Sequence, residues 1–284
     1  MTDPTAVLTL TRPPSLAPLL ARGALLSPFK RPGPGAAFPR TRLVLPGVRV
    51  DLARLAAYER ICGFPVGEDA LPVTYPHVLG FPLAMRLMSG RDFPLPLPGL
   101  VHTSITVTRH ERLSPGGRYE LSVHVEGLVP HRRGTQATVV TEMRRGGAVV
   151  WESTSTYLAR HRTDRPATGP REPEPPKPLP PVDEWRLAGD VGRRYGAASG
   201  DRNPIHLHPL TARPFGFPRA VAHGMWTVAR CLAAHGVPQN CRLRAEFRAP
   251  VLLPGTVTYA AREGRFELRG PRDRIHVTGD VYPT

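Results

Sequence analysis

The residues best suited to moving a proton lie between Tyr195 and Met225, where the chain reads Tyr195-Gly-Ala-Ala-Ser199-Gly200-Asp201-Arg-Asn203-Pro204-Ile205-His206-Leu-His208 and later Ala222-His223-Gly224-Met225. Gly200 permits a sharp backbone turn beside Asp201, and Asn203-Pro204 is a helix-start signal with Asn as cap and Pro in the first turn. A turn of that kind brings Asp201 and His206 together although they are five residues apart. A carboxylate and an imidazole side by side can hold a water molecule between them, one accepting a proton while the other donates. Addition of water across a conjugated double bond needs that division of labour. Gly224 suits a third role. It stands at the start of an apolar helix, where a backbone N–H points outward and the dipole is positive, so a thioester carbonyl bound there is stabilised as it gains enolate charge. Such a site requires neither cofactor nor metal.

The elements that must position these groups are readable from periodicity. Met225, Val228, Ala229, Leu232 and Ala233 form one apolar stripe at helical spacing, with Gly236 as the stop. The stripe is core, not a cofactor box. Strand-like segments follow at 241–251, 256–262, 265–269 and 274–282, separated by Pro-Gly, Glu-Gly and Gly-Pro turns. The first part of the chain repeats this order, with a helix expected over 81–88, Pro82 in its first turn, and strands at 102–110, 119–125, 136–144 and 148–158. A helix followed by antiparallel strands is α+β.

At 284 residues the chain is long enough for two modest domains. Residues 1–47 are rich in Pro, Gly and Arg without a period and read as an irregular extension. Residues 163–183 include Arg171-Glu-Pro-Glu-Pro-Pro-Lys-Pro-Leu-Pro-Pro181, a semi-rigid spacer because proline lacks the backbone donor a sheet needs. The expected division is therefore an N-terminal half at 48–162, a linker at 163–183 and a C-terminal half at 184–284. A faint repeat relates the halves: Tyr58…Cys62-Gly63-Phe64 precedes Pro76-His77-Val78, as Tyr195…Ser199-Gly200-Asp201 precedes Ala222-His223-Gly224.

Composition narrows the function classes. The net charge of +15 invites nucleic acid. Yet arginine is scattered through every segment and lysine occurs only at Lys30 and Lys177, so the charge forms no patch, and nucleic-acid binding is not expected. The same charge would attract the phosphates of coenzyme A or an acidic carrier protein. Three cysteines without metal-ligand spacing give neither a disulfide framework nor a zinc site, which points to a reducing compartment. With no signal peptide or spanning segment read in the sequence, a cytoplasmic protein without a membrane partner is expected.

The motif around Asp201 resembles that of the MaoC-like, (R)-specific enoyl-CoA hydratases, or type 2 hydratases. Their pattern, Tyr-x-x-x-Ser-Gly-Asp-x-Asn-Pro-Ile-His followed by Ala-His-Gly-Met, is met at Tyr195, Ser199, Gly200, Asp201, Asn203 to His206, and Ala222 to Met225. The resemblance implies a double hot-dog fold, each half a helix wrapped by an antiparallel sheet. It also implies Asp201 and His206 as the catalytic pair, Gly224 as oxyanion donor, and Ser199 and Asn203 as supports. The implied reaction is reversible hydration of trans-2-enoyl thioesters to (3R)-hydroxyacyl thioesters, or the reverse, in fatty-acyl or polyketide-type metabolism. The substrate carrier is coenzyme A or an acyl carrier protein, and hot-dog sheets associate readily, which leaves room for a homodimer. The N-terminal half is expected to be non-catalytic, since Phe64 stands where Asp201 stands in the other copy.

Two positions depart from the pattern. His208 replaces a commonly acidic residue and Trp226 a smaller or aliphatic one, which leaves the size of the pocket open. Alternatives remain open at this point. A hot-dog thioesterase or a non-catalytic acyl-thioester binding protein would share the fold, Asp201 and His206 alone could be a surface loop pair, and His77 and His223 read as structural histidines. A metal site using His206 and His208 lacks a carboxylate at Ala212 or Arg213.

Overall fold

The computed structural model describes residues 6–163 and 178–284. The chain runs through β1 (Ala6–Thr9), α1 (Leu16–Leu26), β2 (Thr41–Arg49), α2 (Leu52–Cys62), α3 (Tyr75–Met88), β3 (Val101–Arg109), β4 (Arg118–His131), β5 (Gly134–Arg145) and β6 (Ala148–Arg160). It continues through β7 (Pro181–Leu187), α4 (Val191–Ser199), α5 (Pro204–Leu207), α6 (Pro209–Ala212), β8 (Ala220–Val221) and α7 (Gly224–His235). It ends in β9 (Cys241–Phe247), β10 (Leu252–Leu253), β11 (Gly255–Arg262), β12 (Arg265–Arg269) and β13 (Ile275–Pro283).

Eleven strands form one sheet in the order β1-β2-β4-β5-β6-β3-β9-β13-β12-β11-β7. Within β2 to β6 the spatial order is first, third, fourth, fifth, second strand; within β7, β9, β11, β12 and β13, read from the other edge, it is the same. The faint sequence repeat is thus a repeat of topology, and the architecture is the expected α+β double hot-dog. The seam is the antiparallel pair β3 and β9, in register from Ser104 opposite Glu246 to Arg109 opposite Cys241. Alternation along the strands sets the inner face: Thr135, Ala137, Val139, Thr141 and Met143 of β5 point inward, while the residues between them are partly exposed. Most of α3, and Met225, Val228, Ala229, Cys231 and Leu232 of α7, are buried against this surface.

Elements outside the expected set have physical reasons. The stretch before residue 47 is not irregular throughout: it holds β1, α1 and most of β2, with β1 parallel to β2 and Leu43 and Leu45 buried in the core. Its prolines hide a short strand too brief to leave a periodic signature. The helix expected over 81–88 begins at Tyr75, with Pro76 in its first turn and Pro82 inside it. An interior proline is costly. Here the surrounding burial of Tyr75, Pro76, His77, Val78, Leu83 and Met88 outweighs it. The proline-rich segment at 163–183 lies mostly outside the described residues, and its end, Pro181 to Asp183, belongs to β7, which pairs with β11. No helix among the described residues is long and apolar enough to cross a membrane.

The halves are tied where their short helices face each other. α2 and α4 each end in a glycine with positive φ, Gly63 at +80° and Gly200 at +85°, the conformation that closes a helix C-terminus most cheaply. Arg54 of α2 donates from Nε to the Ala198 carbonyl of α4 at 2.7 Å, and the Arg230 guanidinium of α7 lies against Gly63. Each arginine thus sits at the negative end of a helix from the other half. The Trp226 indole, 3% exposed, donates to the Ile61 carbonyl at 2.8 Å. Its ring therefore spans the halves and is tied to the end of α2. Trp226→Phe, which keeps the packing but removes the donor, is expected to cost about 1 kcal/mol in chemical denaturation, the usual net worth of such a bond, with KM unchanged.

Candidate active site

The segment after Gly200 doubles back over α4, and small residues on that helix make room for it. A Cβ on Gly192 would overlap the carbonyl oxygen of His206, and one on Gly196 would stand 2.8 Å from that of Asp201. These glycines, one helical turn apart, let the loop lie flat on the helix backbone. Within the loop the polar side chains organise the main chain. Ser199 Oγ accepts from the Asp201 N–H at 3.2 Å, Asp201 Oδ1 accepts from Asn203 N–H at 3.1 Å, and Asn203 Oδ1 caps α5 through Ile205 N–H at 3.4 Å. His208 is the N-cap of α6, its Nδ1 accepting from Leu210 N–H at 3.1 Å. The unusual histidine is thus committed to a helix end and turned to no partnership with His206.

The turn does bring Asp201 and His206 together. A carboxylate oxygen of Asp201 and one ring nitrogen each of His206 and His223 lie within 4.8 Å of one another. Two acceptors sharing one water, each about 2.8 Å from it, would be roughly 4.5 Å apart. His206 Nδ1 is 2.7 Å from the Val221 carbonyl and must donate to it, so Nε2 carries the free lone pair of the neutral ring. Val221 is held by β8, which pairs with β10. Burial lowers the His206 pKa, partly offset by the Asp201 charge and the Val221 carbonyl, and so favours the neutral ring.

His223 is the residue whose part sequence reasoning understated. It is the N-cap residue of α7 and 3% exposed at its side chain, whereas that of Asp201 is 26% exposed. Its Nε2 donates to the Asp201 backbone carbonyl at 2.9 Å and its ring stacks on His206 with centroids 3.7 Å apart. It braces both members of the pair from behind. Burial, reinforced by His206, drives its pKa well down, which keeps it neutral. One aspartate and two imidazoles are also a conceivable ligand set for a metal ion, but the His223 nitrogen engaged to Asp201's carbonyl already serves the loop. Gly224 opens α7, and a Cβ there would stand 2.8 Å from the Phe247 ring. Glycine therefore lets Phe247 pack directly beside the backbone at the helix tip.

The N-terminal half reaches this site too, through groups of which the repeat singled out only His77. Asp201's charge acts on His77 of α3 and on Tyr157 of β6. His102 of β3 stacks between them and lies 4.7 Å, centroid to centroid, from Phe247. Phe64 occupies the place of Asp201 in the N-terminal copy and lies parallel to Tyr58 at 6.4 Å.

Residues 171–281 match the MaoC like domain family. The chain is 36% identical over 231 residues to 3-hydroxyacyl-thioester dehydratase X of Mycobacterium tuberculosis, covering 80% of this chain and 81% of that protein. It is 29% identical over 196 residues to 3-hydroxyacyl-thioester dehydratase Y of the same organism, covering 60% and 65%. The crystal structure of HtdX from M. tuberculosis superposes with a TM-score of 0.75 at 33% identity, over 86% of this chain and all of that one. A MaoC-like dehydratase from Phytophthora capsici shares the fold, with a TM-score of 0.70 at 19% identity over 86% of this chain and 95% of that one.

Two outcomes are expected from this site. Gly192→Ala should push the His206 backbone off α4 and lower turnover at least tenfold, while thermal unfolding stays cooperative. Burial holds His77 at about 4 and His102 at about 3, against about 6.5 for an unfolded histidine. The unfolded chain therefore binds protons that the folded one refuses once pH falls below about 6.5, and stability should fall as pH drops from there toward 4. Denaturant midpoints at pH 7.5 and 5 would show it, with a smaller difference in His77→Leu.

Proposed function

From the chain's membership of the MaoC-like dehydratases, a family of hydro-lyases, we propose that it interconverts 3-hydroxyacyl and trans-2-enoyl thioesters, with the (3R) isomer as the hydroxy form. The observation that carries this reading is the convergence of an Asp201 carboxylate oxygen with a ring nitrogen of His206, whose Nδ1 is engaged by the Val221 carbonyl. In the dehydration direction the C2–H bond breaks toward this pair, and its electrons move into the thioester carbonyl. The Gly224 N–H is the donor for the resulting enolate oxygen, where the helix dipole adds to its effect. The C3–O bond then breaks, and the hydroxyl leaves as water with the proton that the pair has just taken. Hydration runs the same steps backwards. One proton is borrowed and returned, so the pair ends as it began.

Both groups belong to one loop and so approach the substrate from one side, which supports syn addition and elimination. Ser199, Asn203 and His223 are positioning residues. The N-terminal half supplies no second pair, because Phe64 cannot carry a proton. The acyl group would arrive on coenzyme A or on a carrier protein, and the net positive charge suits either. A cytoplasmic location in fatty-acyl or polyketide-type metabolism is consistent with such a substrate.

The test is direct. Asp201→Asn and His206→Ala should each lower turnover of enoyl-CoA by roughly two to four orders of magnitude, the range of a general acid or base, and chiral analysis should find (3R)-hydroxyacyl-CoA. Because neutral His206 is the active form, kcat/KM should fall on the acid side with an apparent pKa below the ordinary histidine value. Near wild-type rates in both variants would overturn the reading, and release of free thiol without enoyl loss would favour a thioesterase in its place.

A further inference from the structure

Three polar rings of the N-terminal half stand together beside the site, and the two imidazoles among them have hydrogen-bonding capacity unused. His77 is 7% exposed and Tyr157 8%, and the His77 and His102 rings are stacked nearly parallel with centroids 5.9 Å apart, as are His102 and Tyr157 at 4.6 Å. Nδ1 of His77 and Nε2 of His102 are both buried without a partner. His102 also bonds the backbone of Ser104 in the sense that favours its protonated nitrogen, so its bare Nε2 is an acceptor. The stack lies close to the site: Phe247 packs against both the His102 ring and the backbone at Gly224, and Asp201's charge acts on His77 and Tyr157. An aliphatic chain laid over these nitrogens would leave them unsatisfied, whereas a ligand bringing an N–H or O–H would not. Sites built around a hydrogen bond discriminate strongly against ligands that lack it.

We propose that His77, His102 and Tyr157 form a specificity-determining polar wall that takes a hydrogen-bond donor from the acyl thioester, either a hydroxyl on the acyl chain beyond C3 or an amide of the pantetheine arm. The inference rests on the acyl-thioester reading of the site but asks a separate question, which binding alone answers.

The experiment is calorimetric titration of full-length protein with hexanoyl-CoA and 5-hydroxyhexanoyl-CoA, both saturated at C2–C3 and lacking a 3-hydroxyl, so that neither turns over. The variants are His102→Phe, which keeps the ring stack, His102→Gln, which restores an acceptor, and His77→Leu, with thermal unfolding as the fold control. If the donor is an acyl hydroxyl, the wild type binds the hydroxylated ligand at least tenfold more tightly, His102→Phe removes the preference and His102→Gln recovers part of it. If the donor is a pantetheine amide, His102→Phe weakens both ligands equally, by about tenfold, and His102→Gln again recovers part. Folded His102→Phe and His77→Leu proteins that bind both ligands as the wild type does would overturn the proposal. Asp201→Asn separates the two claims: an Asp201→Asn protein that still turns over enoyl-CoA sinks the reading of the chemistry, and one that binds the pair with wild-type selectivity leaves the wall standing.

Discussion

The hydrogen bond from His206 Nδ1 to the Val221 carbonyl is the constraint on which the site depends. An imidazole whose Nδ1 proton is fixed presents Nε2 as a lone pair in one direction, and without that bond either tautomer and either ring orientation would be open. The carbonyl that fixes it is itself fixed. Val221 is in β8, paired with Leu252 of β10, and the neighbouring Ala222 N–H donates to Val251 at 2.8 Å. From there the chain enters α7 through His223, whose ring braces Asp201 and His206 together. Two residues distant in the motif are thus oriented by a short strand pair that would otherwise look like an afterthought beside the main sheet.

On the proposed reading, one copy of a repeated fold keeps the chemistry while the other supports it. Both halves turn their short helices through a left-handed glycine into the same place, and the next residue decides what stands there. Asp201 is partly open to solvent and hydrogen-bonded within its loop, whereas Phe64 packs beside Tyr58. A buried carboxylate in the N-terminal copy would need its own bracing set, which α3 does not supply, since its counterpart of His223 is turned to the rings of β3 and β6. The phenyl ring avoids that cost and adds to the core joining the halves.

Legibility in the sequence follows the range of the interaction. The α7 stripe, most strands of the second half and the convergence of Asp201 with His206 were readable because each depends on spacing within a few residues. α3 was misplaced at its start, since the rule against interior proline is local and the burial that overrides it is not. β1, α1 and β2 were hidden by a composition rich in proline and arginine. Trp226 and His208 were noticed as unusual, but their partners, the Ile61 carbonyl and the Leu210 N–H, follow from folded geometry. Least legible were His102 and Tyr157, partners across the β3–β6 pair, and the stacking of His77 of α3 on them, contacts set by sheet register and not by any local spacing.

That join also constrains what the site can be. A groove between two copies of one fold has walls from both, and its chemistry and its selectivity can then reside on different walls. Here Asp201 and His206 hang from a loop laid on α4, while the rings of His77, His102 and Tyr157 are carried by α3, β3 and β6 of the other half. The loop is shaped by its own side chains and by two glycines, so a change there alters the geometry of Asp201 and His206. The rings are set by sheet register and stacking, so on the proposed reading a change there alters what fits without moving the pair. Such a separation lets one half vary its lining while the other holds its geometry, which a single hot-dog unit carrying both duties could not do.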